Sequence, residues 1–154
     1  MDKGEKILVS ACFLGAKVRY NGLAKPLHHQ LLERWLEEKR VITVCPEVAG
    51  GMSVPREPAE QVHDRVITVS GSDVTQPFAS GAQHALHLCR RHNIRFALLK
   101  EYSPSCGSQK VYDGSFSNTK INGQGVTASL LSENGIRVYS EETIEQLAAA
   151  LADV

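Results

Sequence analysis

The sequence predicts an α/β fold, and three observations carry that expectation. Short apolar runs at residues 6–11, 41–44, 94–99 and 136–139 read as strands, the first apolar enough to be buried on both faces as in a parallel sheet. Segments with apolar residues at helical spacing lie between them. Strand and helix alternate along the chain, and such alternation builds a parallel sheet with right-handed crossovers and helices on both faces.

A chain of 154 residues suits one compact domain, 1–154, with a single core. Hydrophobic residues make up 42% and charged residues 22%, ordinary values for a soluble globular protein. Lys+Arg and Asp+Glu both number 17, so no basic excess recruits a nucleic acid polymer or an anionic membrane. The first residues, Met1-Asp2-Lys3-Gly4-Glu5-Lys6, are charged, and the apolar run after them is too short for a signal peptide or a membrane span. The expected location is the cytoplasm. Four cysteines in that reducing compartment point to metal binding, catalysis or core packing sooner than to disulfides.

The first strand, 6–11, runs straight into Cys12 and a loop in which Asn21-Gly22 marks a turn. Pro26 suits the first turn of a helix on which Leu27, Leu31, Leu32, Trp35 and Leu36 fall at helical spacing, with Trp35 in the core. The second strand, 41–44, ends at Cys45. Cys45-Pro46-Glu47 then opens a stiff, irregular loop with Gly50, Gly51, Pro55, Arg56 and Pro58, and long loops of this kind in compact domains are usually functional. Residues 65–70 add a small strand, in a hairpin or at an edge.

Thr75 or Gln76 is expected to cap a helix starting at Pro77. Phe78, Ala82, Ala85, Leu86 and Cys89 share one face of it, which makes Cys89 a small core residue. His84, His87 and His92 fall on or beside this helix as wet surface. The third strand, 94–99, leads into Lys100-Glu101-Tyr102-Ser103-Pro104-Ser105-Cys106-Gly107. There Pro104 pushes Ser103 towards an extended conformation and Gly107 lets the backbone bend behind the thiol. Residues 111–116 read as a loop. Gly123-Gln124-Gly125 reads as a tight turn, a weak anion-site signal, before a short helix at 126–133 closed by Asn134-Gly135. After the last strand Ser140 caps a final helix whose Ile144, Leu147, Ala148 and Leu151 are buried. The whole is a single-domain, mostly parallel sheet in three layers, Rossmann-like or flavodoxin-like.

Strands of such a sheet point the same way, so Cys12, Cys45 and Cys106, each just past a strand's carboxyl end, are expected on one rim. Open α/β sheets bind their ligands there. No two of the three are close in sequence, which excludes a zinc knuckle and a Cys-x-x-Cys redox pair. Three thiolates from three loops can still converge on a soft metal centre, and three ligands instead of four leave one metal position open. A cube held in this way keeps one iron for a substrate. The residues alone rank an iron–sulfur cluster ahead of zinc, and zinc ahead of a metal-free thiol nucleophile.

Several motifs in order, Ile7-Leu8-Val9-Ser10-Ala11-Cys12-Phe13-Leu14-Gly15 with Arg19-Tyr20-Asn21-Gly22, Cys45-Pro46-Glu47-Val48-Ala49-Gly50-Gly51 with Pro55-Arg56, Ser103-Pro104-Ser105-Cys106-Gly107, and Gly123-Gln124-Gly125-Val126-Thr127-Ala128, resemble the thiouracil desulfurase family. The resemblance runs from Ile7 to about Glu141. It implies a 4Fe–4S cluster, oxygen-sensitive, on Cys12, Cys45 and Cys106. The implied substrate is a small thiolated pyrimidine whose sulfur is replaced by water without net redox change. It further implies Glu47 as general acid/base and favours Ser103 over Ser105 for holding the base or the attacking water, while Arg19, Arg56 and Ser105 are candidates for binding substrate. Asn21 stands where the family usually has Asp, and Phe13 where Leu is usual; neither is a ligand. Two rival expectations belong to other classes: a metal-free persulfide sulfur transferase working through Cys106, and a zinc- or nucleotide-binding module without catalysis.

Overall fold

The computed structural model describes residues 4–154; Met1, Asp2 and Lys3 of the charged leading stretch lie outside them. In chain order the elements are β1 (Ile7–Ser10), α1 (Gln30–Glu37), β2 (Val41–Val44), α2 (Pro46–Ala49), β3 (Ala59–Val62), β4 (Arg65–Thr68), α3 (Thr75–Arg91), β5 (Phe96–Leu99), β6 (Lys110–Tyr112), β7 (Lys120–Asn122), α4 (Val126–Glu133), β8 (Arg137–Ser140) and α5 (Ile144–Ala152). β2, β1, β5 and β8 form the main sheet in that order, every neighbour parallel, as the alternation of elements predicts.

The two central strands are buried along their whole length, which is why their sequences are apolar without alternation. Ile7, Val9, Phe96 and Leu98 face one side, where Leu32 and Trp35 of α1 and Ile144, Leu147 and Leu151 of α5 cover them. Leu8, Ala97 and Leu99 face the other, under Ala85, Leu86 and Cys89 of α3 and Leu131 of α4. Burying each of these larger aliphatic side chains contributes about 1.5–3 kcal/mol, and together they set the three layers. Among the described residues no helix is long and apolar enough to cross a membrane.

Several boundaries differ from expectation. α1 begins at Gln30 and not at Pro26, because the chain before it lies along the Cys12 turn. There Lys25 N–H donates to Cys12 O at 3.2 Å and Leu27 N–H to Phe13 O at 2.9 Å. His29 Nδ1 then accepts from Leu31 N–H at 3.1 Å and caps the helix. α3 begins at Thr75, ahead of Pro77, and neither Thr75 nor Gln76 is the cap. Thr75 Oγ1 accepts from Val66 N–H at 2.9 Å instead, which ties the helix to β4. Ser140 does not cap α5: its Oγ accepts from Glu142 N–H at 3.1 Å, and the helix starts after Thr143.

The segment at 65–70 does contain a strand, β4, paired with β3 in a hairpin separate from the main sheet. Residues 46–49 form the helical turn α2 where an irregular loop was expected. Residues 111–116 are not all loop, since β6 reaches Tyr112 and pairs with β7. β7 is exposed throughout, so it carries no alternation to mark it as a strand.

Candidate active site

The β2-β1-β5-β8 order makes the chain leave β1 for β2 on one side and return to β5 on the other. Loops leaving β1 and β5 therefore diverge, and a crevice opens at the carboxyl ends of these strands. A cavity of about 490 Å³ lies there, lined by Cys12, Cys45 and Cys106 together with Ser10, Arg19, Glu47, Arg56, Lys100, Glu101, Tyr102 and Ser103. The three cysteines are thus on one rim and in one cavity.

Each cysteine is placed by its own local structure. Cys12 sits in a 3-10 turn, Ala11–Leu14, directly after β1; Gly15 ends this turn with a φ of 95°, a conformation glycine adopts without steric cost. Cys45 is the residue before α2, and Pro46 occupies the first helical position, where a missing N–H costs nothing. α2 is seated on α3 so closely that a Cβ on Gly81 would come within 1.9 Å of Pro46 O. Cys106 follows β5 in a loop held by Ser103, whose Oγ accepts from Ser105 N–H and Cys106 N–H, both at 3.1 Å.

That loop is locked from behind by α4. Val126 N–H donates to Pro104 O at 2.9 Å, while Thr127 and Ala128 N–H donate to Ser105 O at 2.8 and 3.2 Å. The free amides at the start of α4 are therefore spent on the cysteine loop, which leaves the Gly123–Gly125 turn no anion site. Gly125 has a different purpose: a Cβ there would lie 2.3 Å from Ser105 C and 2.6 Å from Cys106 N. Ser105 is fully buried, its Oγ 2.8 Å from Thr127 Oγ1, and it does not line the cavity. It secures the loop and does not face the cavity.

Glu47 and Arg56 form an ion pair, Nε to Oε1 at 2.9 Å, with side chains 17% and 6% exposed. Arg56 also donates from its terminal nitrogens to Ser53 O at 3.0 Å and Val18 O at 2.9 Å, so it joins three loops around the cavity. Glu47 Oε2 takes no hydrogen bond from a described residue. Arg19 lines the cavity and forms no ion pair among the described residues, whereas Lys100 Nζ is paired with Glu141 Oε2 at 2.8 Å.

Sequence reasoning missed Glu60, Gln61 and Glu101. Glu60 Oε1 accepts from Gly114 N–H at 2.9 Å and Phe116 N–H at 3.1 Å, which holds the β6–β7 loop over the cavity. Gln61 Nε2 donates to Pro104 O and Gln124 O and joins the β3–β4 hairpin to the Cys106 loop. Glu101 is buried and accepts from Ser108 Oγ at 3.0 Å and Gln109 N–H at 3.2 Å, which closes the loop on its far side. Their partners lie far away in sequence or in irregular backbone, so no periodic signal marks them. Tyr102 carries a φ of 70°, a strained setting for a bulky residue, and its OH donates to Glu142 Oε2 at 2.6 Å, which pushes its ionisation up to about 12.

The chemistry of the three thiols fits a soft metal cluster. Burial, with a smaller contribution from Cys45, pushes Cys12 up to about 11; burial likewise pushes Cys45 and Cys106 up. A thiol nucleophile needs the opposite shift, towards the thiolate. Metal ligation supplies a positive charge that displaces the protons. Among the described residues no group of three His, Cys, Asp or Glu is gathered as one ion requires. A 4Fe–4S cube would take one iron per thiolate, and three cysteines lining one cavity of about 490 Å³ suit that mode. His84 and His87 are exposed on α3, and Cys89 is buried in the core.

Comparison with known proteins agrees with this geometry. The structure matches that of the 4Fe–4S-dependent thiouracil desulfidase TudS with a TM-score of 0.96 and 50% identity, covering 97% of this chain and 99% of that one. The uncharacterized protein YbbK of Bacillus subtilis (strain 168) is 40% identical over 151 residues, 92% of this chain and 99% of its own length. The family model described as 2-thiouracil desulfurase matches residues 7–143, a span that takes in every cavity-lining cysteine and both α4 and β8. The chain belongs to the 2-thiouracil desulfurase family.

Proposed function

We propose that this protein converts a thiouracil-type base and water into the oxo base and hydrogen sulfide, with a 4Fe–4S cluster on Cys12, Cys45 and Cys106. The observation that carries the reading is the meeting of three cysteines, from three separate strand ends, with Glu47 and Ser103 in one cavity. The 50% identical TudS, named for both the cluster and the reaction, supports it. When bound, the cluster supplies a Lewis-acidic iron without a protein ligand, to which a thiocarbonyl sulfur can be drawn.

The chain's own groups do the rest. Glu47 Oε1 is held by Arg56 Nε, which leaves Oε2 to take a proton from the attacking water and return one to the departing sulfur. No electrons change hands, since the carbon keeps its oxidation state while oxygen replaces sulfur. Ser103 Oγ already accepts two backbone N–H groups, so its remaining capacity is its own proton, which it can donate to a carbonyl or ring nitrogen of the base. Arg19, a cation lining the cavity without an ion pair among the described residues, balances anionic charge on substrate and product. Arg56, which also lines the cavity, orients Glu47. The substrate is small and the work is done within one α/β domain. The four free cysteines suit the reducing cytoplasm.

The test is anaerobic purification followed by iron and sulfide analysis, a visible spectrum and a thiouracil assay. Brown protein that releases sulfide is expected, and Cys12→Ser, Cys45→Ser and Cys106→Ser should each lose iron and turnover together. A colourless, iron-free and fully active preparation refutes the reading. Loss of turnover in Cys106→Ser alone points to the persulfide carrier instead.

A further inference from the structure

Ser10 is the last residue of β1, buried at the floor of the cavity. Its Oγ accepts from Lys100 N–H at 3.0 Å, across the junction of the two central strands. The same oxygen lies 4.0 Å from Cys106 Sγ, placed so that its hydroxyl can donate to the sulfur. A serine hydroxyl has a single proton. With Lys100 N–H on its acceptor side, Cys106 Sγ is the one acceptor among the described residues to which that proton can be given. A thiol is a weak acceptor, which accounts for the long contact; a thiolate ligand is a stronger one.

We propose that Ser10 is a positioning residue for the cluster, holding Cys106 Sγ by an O–H···S hydrogen bond that raises the cluster's reduction potential. Hydrogen bonds to ligand sulfurs offset negative charge, and the reduced state carries more of it, so the reduced state gains most. β1 and β5 are the buried centre of the sheet, and they preorganise the donor before any metal arrives. A cluster meant for non-redox work is thereby biased against oxidation. The inference rests on the reading of Cys106 as a cluster ligand.

The experiment compares anaerobic holo-protein with its Ser10→Ala and Ser10→Thr variants, by spectroelectrochemical titration and by resonance Raman spectra in H₂O and D₂O. Ser10→Ala is expected to keep its iron, to shift to lower potential and to lose a D₂O-sensitive Fe–S(Cys) band. Ser10→Thr, which keeps the hydroxyl, is expected to restore both. Iron-loaded Ser10→Ala with wild-type potential and wild-type D₂O sensitivity overturns the proposal. Should Ser10→Ala fail to hold iron, the wild-type spectrum decides: an Fe–S(Cys) band that moves in D₂O supports the hydrogen bond, and bands that do not move overturn it. Wild-type protein without iron would instead refute the cluster reading itself.

Discussion

Gly125→Ala isolates the contact between α4 and the Cys106 loop. The new methyl would sit 2.3 Å from Ser105 C, 2.4 Å from Ser105 O and 2.6 Å from Cys106 N, all backbone atoms. Ordinary carbon contacts begin near 3.5 Å, so helix and loop must part by about 1 Å. Overpacking of this kind costs about 1–3 kcal/mol, and the upper end applies because no side chain can rotate away. A domain with about 5–15 kcal/mol of stability survives that loss, and the midpoint of thermal unfolding should fall by about 6–12 °C. The same displacement moves the Cys106 sulfur, and a 1 Å error at a reacting centre lowers turnover by about 100-fold. Calorimetry, iron content and sulfide release measure the three effects on one preparation. Gly123→Ala is the control, because its methyl meets no backbone atom and one side-chain atom, Val111 Cγ2, at 3.2 Å. If Gly125→Ala melts with the wild type and keeps its iron and rate, the close approach does not hold the loop.

Glu47→Gln keeps an acceptor for Arg56 Nε but cannot take a proton, so turnover should fall by about 10²–10⁴-fold while the visible spectrum stays unchanged. Arg56→Met leaves Glu47 and two carbonyl oxygens without their partner in a largely buried place; urea denaturation should show a loss of about 3–5 kcal/mol. Cys89→Ala should retain full iron and turnover by metal analysis and assay, since its thiol lies in the α3 core away from the cavity. Burial pushes the Cys89 thiol up to about 12 from an ordinary 9.0, so the folded protein should resist alkylation there at pH 8. The unfolded chain releases this proton first, so the contribution to stability is whole below pH 9 and is lost as pH rises towards 12. pH-dependent denaturation of wild type against Cys89→Ala would show a smaller alkaline loss in the variant.

Local composition determined the parallel sheet, the buried stripes of α3 and α5, and the place of three cysteines past three strand ends. Those features depend on near neighbours: apolar runs, helical spacing, and a residue's position just after a strand. The common rim of Cys12, Cys45 and Cys106 also followed, because a parallel sheet sends its carboxyl ends one way. Fold packing decided what the surrounding side chains do. Arg56 reads as a lone loop cation, and only packing shows it bonded to Glu47, Ser53 and Val18 at the cavity wall. Ser105 looks like a site hydroxyl until Thr127, 22 positions away, is found against it. Ser10 looks like an ordinary strand end until β5 brings Cys106 to it across 96 positions. Hydrogen-bond partners at such separations are set by how elements dock, and docking leaves no period in the chain for a reader to find.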